Sequence, residues 1–151
     1  MANMEPNVIR DVLITPLKII PVAGGDVFHA MKRSDAGFAG FSEAYFSTIE
    51  HEAIKPWKRH REMTLNIVVP AGEIRFVIFD DRLGSESFGV KQEVRLSKDN
   101  YCRLTVPPML WMAFQGIHPN ASILLNVADI EHDPSEVDRV ELDSISYDWR
   151  I

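Results

Sequence analysis

The chain has 151 residues, enough for one domain with a sizeable core, and its 46% hydrophobic and 25% charged content is that of a folded globular protein. A net charge of −6 argues against a polyanion-binding surface, so no nucleic-acid partner is expected. No apolar run approaches the roughly 18 residues that a membrane helix needs, so no membrane association is expected either.

In chain order, the apolar segments are short and rich in β-formers. Strands are expected at 12–20, 41–47, 65–69, 74–79, 91–96, 101–106, 111–115 and 122–128. Turn signals separate them: Gly24-Gly25, Pro70-Ala71-Gly72, Leu83-Gly84, Lys98-Asp99-Asn100, Pro107-Pro108 and His118-Pro119-Asn120. Val69-Pro70-Ala71-Gly72-Glu73 reads as a hairpin with Gly72 at positive φ. Only 30–37 and 134–140 have helical character, and Ser135 with Glu136 suits the first turn of the second. Many short strands at a spacing of about ten residues predict an all-β chain, a single jelly-roll barrel spanning 1–151 with short helical segments. The single cysteine, Cys102, excludes an internal disulfide and fits a reducing compartment. No signal peptide is evident, so a cytoplasmic location is expected.

The segment Lys55-Pro56-Trp57-Lys58-Arg59-His60-Arg61 sets an imidazole among four cations just before the apolar run 65–69. So much positive charge at the start of a core strand points to a polar rim facing an anion. His60 is the titratable group there that could act as a general base, given an acceptor on its other nitrogen. Strand alternation should send some of Lys58, Arg59 and Arg61 to the face of His60, and Trp57 offers an apolar wall for a sugar or base ring. Farther on, the apolar stretch 106–114 makes Trp111 either core, a dimer face or a second ring wall. Asp143 and Asp148, in the alternating 142–149 tail, could reach back to orient an imidazole; a solvated carboxylate is the other reading of each. Asp80-Asp81-Arg82 reads as a turn with a local ion pair. The His-x-His spacing common in jelly-roll metal sites is missing, so no metal is expected.

The order of these segments resembles the dTDP-4-dehydrorhamnose 3,5-epimerase family, which has a cupin jelly roll. The matching features are His60 after a basic and aromatic stretch, Gly72-Glu73, Asp80-Asp81-Arg82, Ser85 to Gly89, Leu96 to Asn100, Val106-Pro107-Pro108, Ala128-Asp129 to Asp133-Pro134, and Trp149, over about 24–149. The resemblance implies a cofactor-independent epimerase or isomerase of a 4-keto nucleotide-diphospho-sugar, serving polysaccharide or O-antigen (lipopolysaccharide) synthesis, and usually a homodimer. His60 would be the base, Asp143 its orienting partner, and Trp57, Lys58, Arg59, Arg61 and Trp111 the substrate-binding set. The chain departs from the family pattern in four places. The phenol acid expected near Leu125 or Asn126 is missing, with water or Tyr101 as possible substitutes. Trp57 stands for an Arg, Leu65 for a Lys, and Met112 for a second His. The alternative is a non-catalytic cupin that binds a nucleotide sugar or carbohydrate.

Overall fold

Period-two alternation of apolar side chains builds two five-stranded antiparallel sheets around one core. The structure, a computed structural model, describes residues 7–151. The strands in chain order are β1 (Leu13–Pro16), β2 (Ile19–Ile20), β3 (Val27–Phe28), β4 (Glu43–Ile49), β5 (Ile54–His60), β6 (Leu65–Ala71), β7 (Glu73–Phe79), β8 (Lys91–Ser97), β9 (Cys102–Val106), β10 (Trp111–Gly116), β11 (Ser122–Ala128) and β12 (Val137–Arg139). Sheet I runs β1-β9-β6-β11-β4, sheet II runs β12-β5-β10-β7-β8, and β2 and β3 form a separate ribbon. This is the expected all-β jelly roll.

Leu65, Ile67 and Val69 of β6, with Leu104, Val106 and Leu124 of sheet I, pack against Ile74, Phe76, Ile78, Val94 and Leu96 of sheet II. Burial of each such side chain contributes about 1.5–3 kcal/mol, so this interleaved layer is the main source of stability. The hairpin between β6 and β7 turns at Gly72, whose φ is +83°. A Cβ there would run into Ser122, so both backbone conformation and space require glycine.

Both sheets are also covered on their outer faces. On sheet I, fully buried Arg103 donates to the carbonyls of Ala30 (2.9 Å) and Ala36 (3.0 Å) and to Asp35 (3.1 Å). These bonds hold 30–37 as an irregular strap, so the helix expected there does not form. On sheet II, Trp57, Val77, Trp111 and Ala113 lie under Val140, Leu142, Ile145, Tyr147 and Trp149 of the C-terminal segment.

All eight expected strands are present, the first divided into β1 and β2 at Leu17-Lys18. Three further strands form, β3, β5 and β12, and the last two frame the site. Strand β5 lies in the cationic run and is disguised by Pro56. Its pairing with β10 is irregular between Lys55 and Lys58, which accommodates a residue with no N–H to donate. Strand β12 takes up part of the expected second helix. Only a single 3-10 turn, Pro134–Glu136, forms there, with Asp133 accepting from the Ser135 amide at its start.

Candidate active site

A cleft opens between the sheets where β4 edges sheet I and β12 edges sheet II. Tyr45, Ser47, Ile67, Leu124 and Asn126 line it from sheet I, and Lys55, Lys58, His60, Met112, Phe114 and Arg139 from sheet II.

His60 ends β5 and faces this cleft. Its carbonyl accepts from the Met109 amide (2.7 Å), and the next amide, Arg61, donates to the Glu136 carbonyl (2.8 Å). Across the β5–β12 ladder, His60 is paired with Val137. That pairing brings the neighbouring Glu136 side chain to the ring, with Nδ1 2.5 Å from Oε1. Glu136 is only 4% exposed, and its Oε2 accepts from the amides of Glu62 (3.1 Å) and Met63 (3.3 Å). Burial disfavours its charge. The bond to His60 and the two amides outweigh that, so the carboxyl is held below the usual glutamate value. A carboxylate can only accept, so Nδ1 carries the proton, and in the neutral imidazole the lone pair sits on Nε2, directed away from Glu136. This is the arrangement of a general base whose partner also stabilises the imidazolium that forms.

The expected partner, Asp143, is elsewhere. It lies in a 3-10 turn, Leu142–Ser144, exposed on the outer face of sheet II, beside the Leu142 carbonyl that accepts from the Trp57 indole (3.1 Å). The thickness of the sheet separates it from His60. Asp148 is likewise exposed, paired with Arg150 at 2.6 Å.

Alternation along β5 divides the expected binding set. Lys58 shares the cleft with His60, whereas Trp57 is fully buried in the outer cluster with Trp149. Trp111 is in the same cluster, 7% exposed, and its indole donates to Asp81 (2.9 Å). Arg59 stacks over Trp111 at 4.6 Å and pairs with Asp138 (2.8 Å), which also takes Arg61 (2.5 Å). Hydrogen bonds from these two arginines hold Asp138 at about 2, with Arg61 contributing most. Trp57, Arg59, Arg61 and Trp111 therefore anchor the C-terminal segment and β12; they do not line the cleft.

The cleft draws its charge from other positions. Lys58 and Arg139 both line it, and among the described residues neither side chain has a hydrogen bond or ion pair. Desolvation, then the charges of Arg139 and Lys55, hold the Lys58 amine below its usual value. Crowded cations with no carboxylate partner create a positive potential that favours an anion. Lys55 is already committed to Ser47 Oγ (2.8 Å) and the Thr48 carbonyl (2.7 Å). Asp80 is wholly buried beneath Arg82, Ser85 and Ser87, so the Asp-Asp-Arg and Ser-rich motifs are scaffold. Among the described residues, no cluster of three or more His, Cys, Asp or Glu could hold a metal.

Sequence reasoning missed Glu136, Arg139 and Tyr45. The available signal for the first two was Val137-Asp138-Arg139, an apolar–polar alternation that reads equally well as a strand. Tyr45 lay within an expected strand whose facing could not be assigned from sequence.

The chain is similar to known sugar-nucleotide enzymes. A probable low-salt glycan biosynthesis epimerase, Agl13, of Haloferax volcanii is 28% identical over 106 residues, which cover 70% of this chain and 66%, just under two thirds, of that protein's length. A dTDP sugar isomerase of Desulfovibrio desulfuricans G20 is 33% identical and superimposes with a TM-score of 0.90, covering 93% of this chain and 92% of that one. The 3'-monoepimerase ChmJ of Streptomyces bikiniensis, solved with dTDP-quinovose, shares the fold at 16% identity and a TM-score of 0.80, covering 91% of this chain and 73% of that one. The sequence profile of dTDP-4-dehydrorhamnose 3,5-epimerase matches residues 34–151, most of the chain, and the protein belongs to that family of sugar-nucleotide epimerases and isomerases.

Proposed function

We propose that the protein is a cofactor-independent epimerase or isomerase of a 4-keto nucleotide-diphospho-sugar, with His60 as the base. The observation that carries this is the His60–Glu136 pair in a cleft that also holds two cations, Lys58 and Arg139, with no partner among the described residues. Lys58 and Arg139 meet the diphosphate, where charge-assisted hydrogen bonds are strongest. His60 Nε2 removes the proton from the carbon beside the ketone, and the C–H electron pair passes into an enolate. Glu136, already ionised, stabilises the imidazolium as it forms. Return of a proton to the other face of the carbon gives the epimer. The apolar walls formed by Ile67, Leu124, Met112 and Phe114 limit water around the enolate.

The similarity to a glycan biosynthesis epimerase supports a place in polysaccharide assembly. Leu13 and Ile14 on edge strand β1 are exposed apolar side chains, and they support a homodimer through that edge. Sedimentation velocity checks this: a dimer is expected at micromolar concentration, and a persistent monomer contradicts it.

The activity is tested by incubating the protein in D2O with 4-keto-6-deoxyhexoses linked to dTDP, UDP and GDP. NMR should show deuterium entering the carbon beside the ketone of at least one. Tight binding with no exchange for any of them would contradict the enzyme assignment and leave the alternative, a nucleotide-sugar-binding cupin.

A further inference from the structure

We propose that Tyr45 is the acid that returns the proton on the sugar face opposite His60, and that Asn126 is its positioning residue. The inference rests on the carbon-acid chemistry of His60 and adds the group that completes it.

Tyr45 stands on β4 of sheet I and His60 on β5 of sheet II, and both line the cleft between the facing sheets. A sugar ring in that cleft has the imidazole on one wall and the phenol on the other. Lys58 and Arg139 stand on the wall of His60. The other two tyrosines are committed elsewhere. The Tyr101 hydroxyl, a substitute acid on sequence grounds, donates to the His29 carbonyl (2.7 Å), and the Tyr147 hydroxyl donates to Glu93 (2.7 Å) under the C-terminal segment. Neither lines the cleft.

The phenol is held by a built network. Asn126, directly opposite Tyr45 in the β4–β11 ladder, is 1% exposed, and its Nδ2 donates to Tyr45 Oη at 3.0 Å. The orientation of the amide is fixed because its Oδ1 accepts the Asn66 backbone N–H at 3.0 Å. Asn66 is locked in turn by Thr105 Oγ1 (2.6 Å) and by its own bond to the Gly37 carbonyl (3.0 Å). Because Asn126 donates to Oη, the phenolic O–H has its own proton free for the cleft. The same N–H remains as a donor to the oxygen after that proton has left. The phenol absent from β11 is thus supplied from the adjacent strand.

The step balances without an oxidant. His60 Nε2 takes the proton from carbon, and the electron pair moves into the enolate. The Tyr45 O–H bond breaks as a new C–H bond forms on the opposite face and the carbonyl re-forms. His60 then loses its proton to water, and the Tyr45 oxygen regains one from water.

Tyr45→Phe separates this role from a structural one. In D2O the variant should still exchange the substrate C–H, because His60 returns a deuteron to the face it deprotonated. Formation of the inverted epimer should fall roughly 10²- to 10⁴-fold, with KM little changed. Asn126→Asp keeps the acceptor for Asn66 and removes the donor to Tyr45, so it should also slow inversion more than exchange. Inversion by Tyr45→Phe at the wild-type rate would overturn the proposal, as would an equal loss of exchange and inversion. Absence of exchange in the wild-type protein would instead overturn the function on which the proposal rests.

Discussion

Glu136→Gln changes one charge and almost no volume, and the surrounding bonds determine its effect. Glu136 Oε2 accepts two backbone amides, those of Glu62 and Met63. Those donors cannot rotate away, so the oxygen of a glutamine must stay with them and its NH2 must face His60 Nδ1. Two donors cannot share that contact, so the imidazole proton moves to Nε2, and the lone pair needed for proton abstraction is lost. The hydrogen bond falls from charge-assisted to neutral, a difference of about 1–2 kcal/mol, and release of a buried charge offsets part of that. The fold should therefore survive, with stability reduced by less than about 2 kcal/mol. The rate should fall roughly 10³- to 10⁴-fold, the size of effect known when a triad carboxylate is made an amide and fixes the wrong tautomer. Solvent-exchange kinetics measure the rate, and 15N NMR of His60 reports the tautomer directly. A variant that keeps the Nδ1–H tautomer and more than about a tenth of the activity would refute this reasoning. Asp143→Asn, on the outer face, should leave both readouts unchanged.

Lys58→Ala and Arg139→Ala should each weaken dTDP binding roughly 10- to 100-fold by calorimetry, the value of a hydrogen bond to a charged group, whereas unchanged affinity would remove the diphosphate from that corner. Trp57→Ala should cost about 3–5 kcal/mol in urea unfolding, since the side chain is fully buried, while kcat of the folded fraction holds; a selective loss of activity would return Trp57 to the site. Stability should also fall in acid. Glu136 and Asp138 are both held below their ordinary values, so the unfolded chain binds protons first, and their stabilisation is complete above the ordinary carboxylate range. It is lost as pH drops through that range toward about 2 for Asp138, and Glu136→Gln should make the decline shallower; an identical acid profile would show that the carboxylate is not ionised in the fold.

The fold was largely legible because the core strands carry their burial pattern openly: β6, β7, β9 and β11 are apolar runs bounded by Gly, Pro and Asn turns. The strands of the site were harder to read. Strand β5 is polar and contains a proline, and β12 is three residues long after a turn that also suits a helix start. His60 was visible because of its cationic neighbours, but alternation sends Trp57 and Arg59 away from it, and no local pattern says which face of β5 is inward. Choosing Glu136 over Asp143 required knowing where the C-terminal segment runs. That segment is drawn to the outer face by Trp57, Arg75 and Gln115, which bond the carbonyls of Leu142, Arg150 and Trp149, respectively. The network of Asn126, Asn66 and Thr105 joins three strands far apart in sequence, and only their pairing brings it together.

The most direct test of His60 as the carbon base is deuterium exchange into a 4-keto nucleotide sugar by the wild-type protein and by His60→Asn, compared at equal occupancy by dTDP-sugar. The wild type should label the carbon beside the ketone, and the variant should be slower by roughly 10²-fold or more with its fold and nucleotide affinity retained. Labelling by His60→Asn at the wild-type rate would show that proton abstraction belongs to another group.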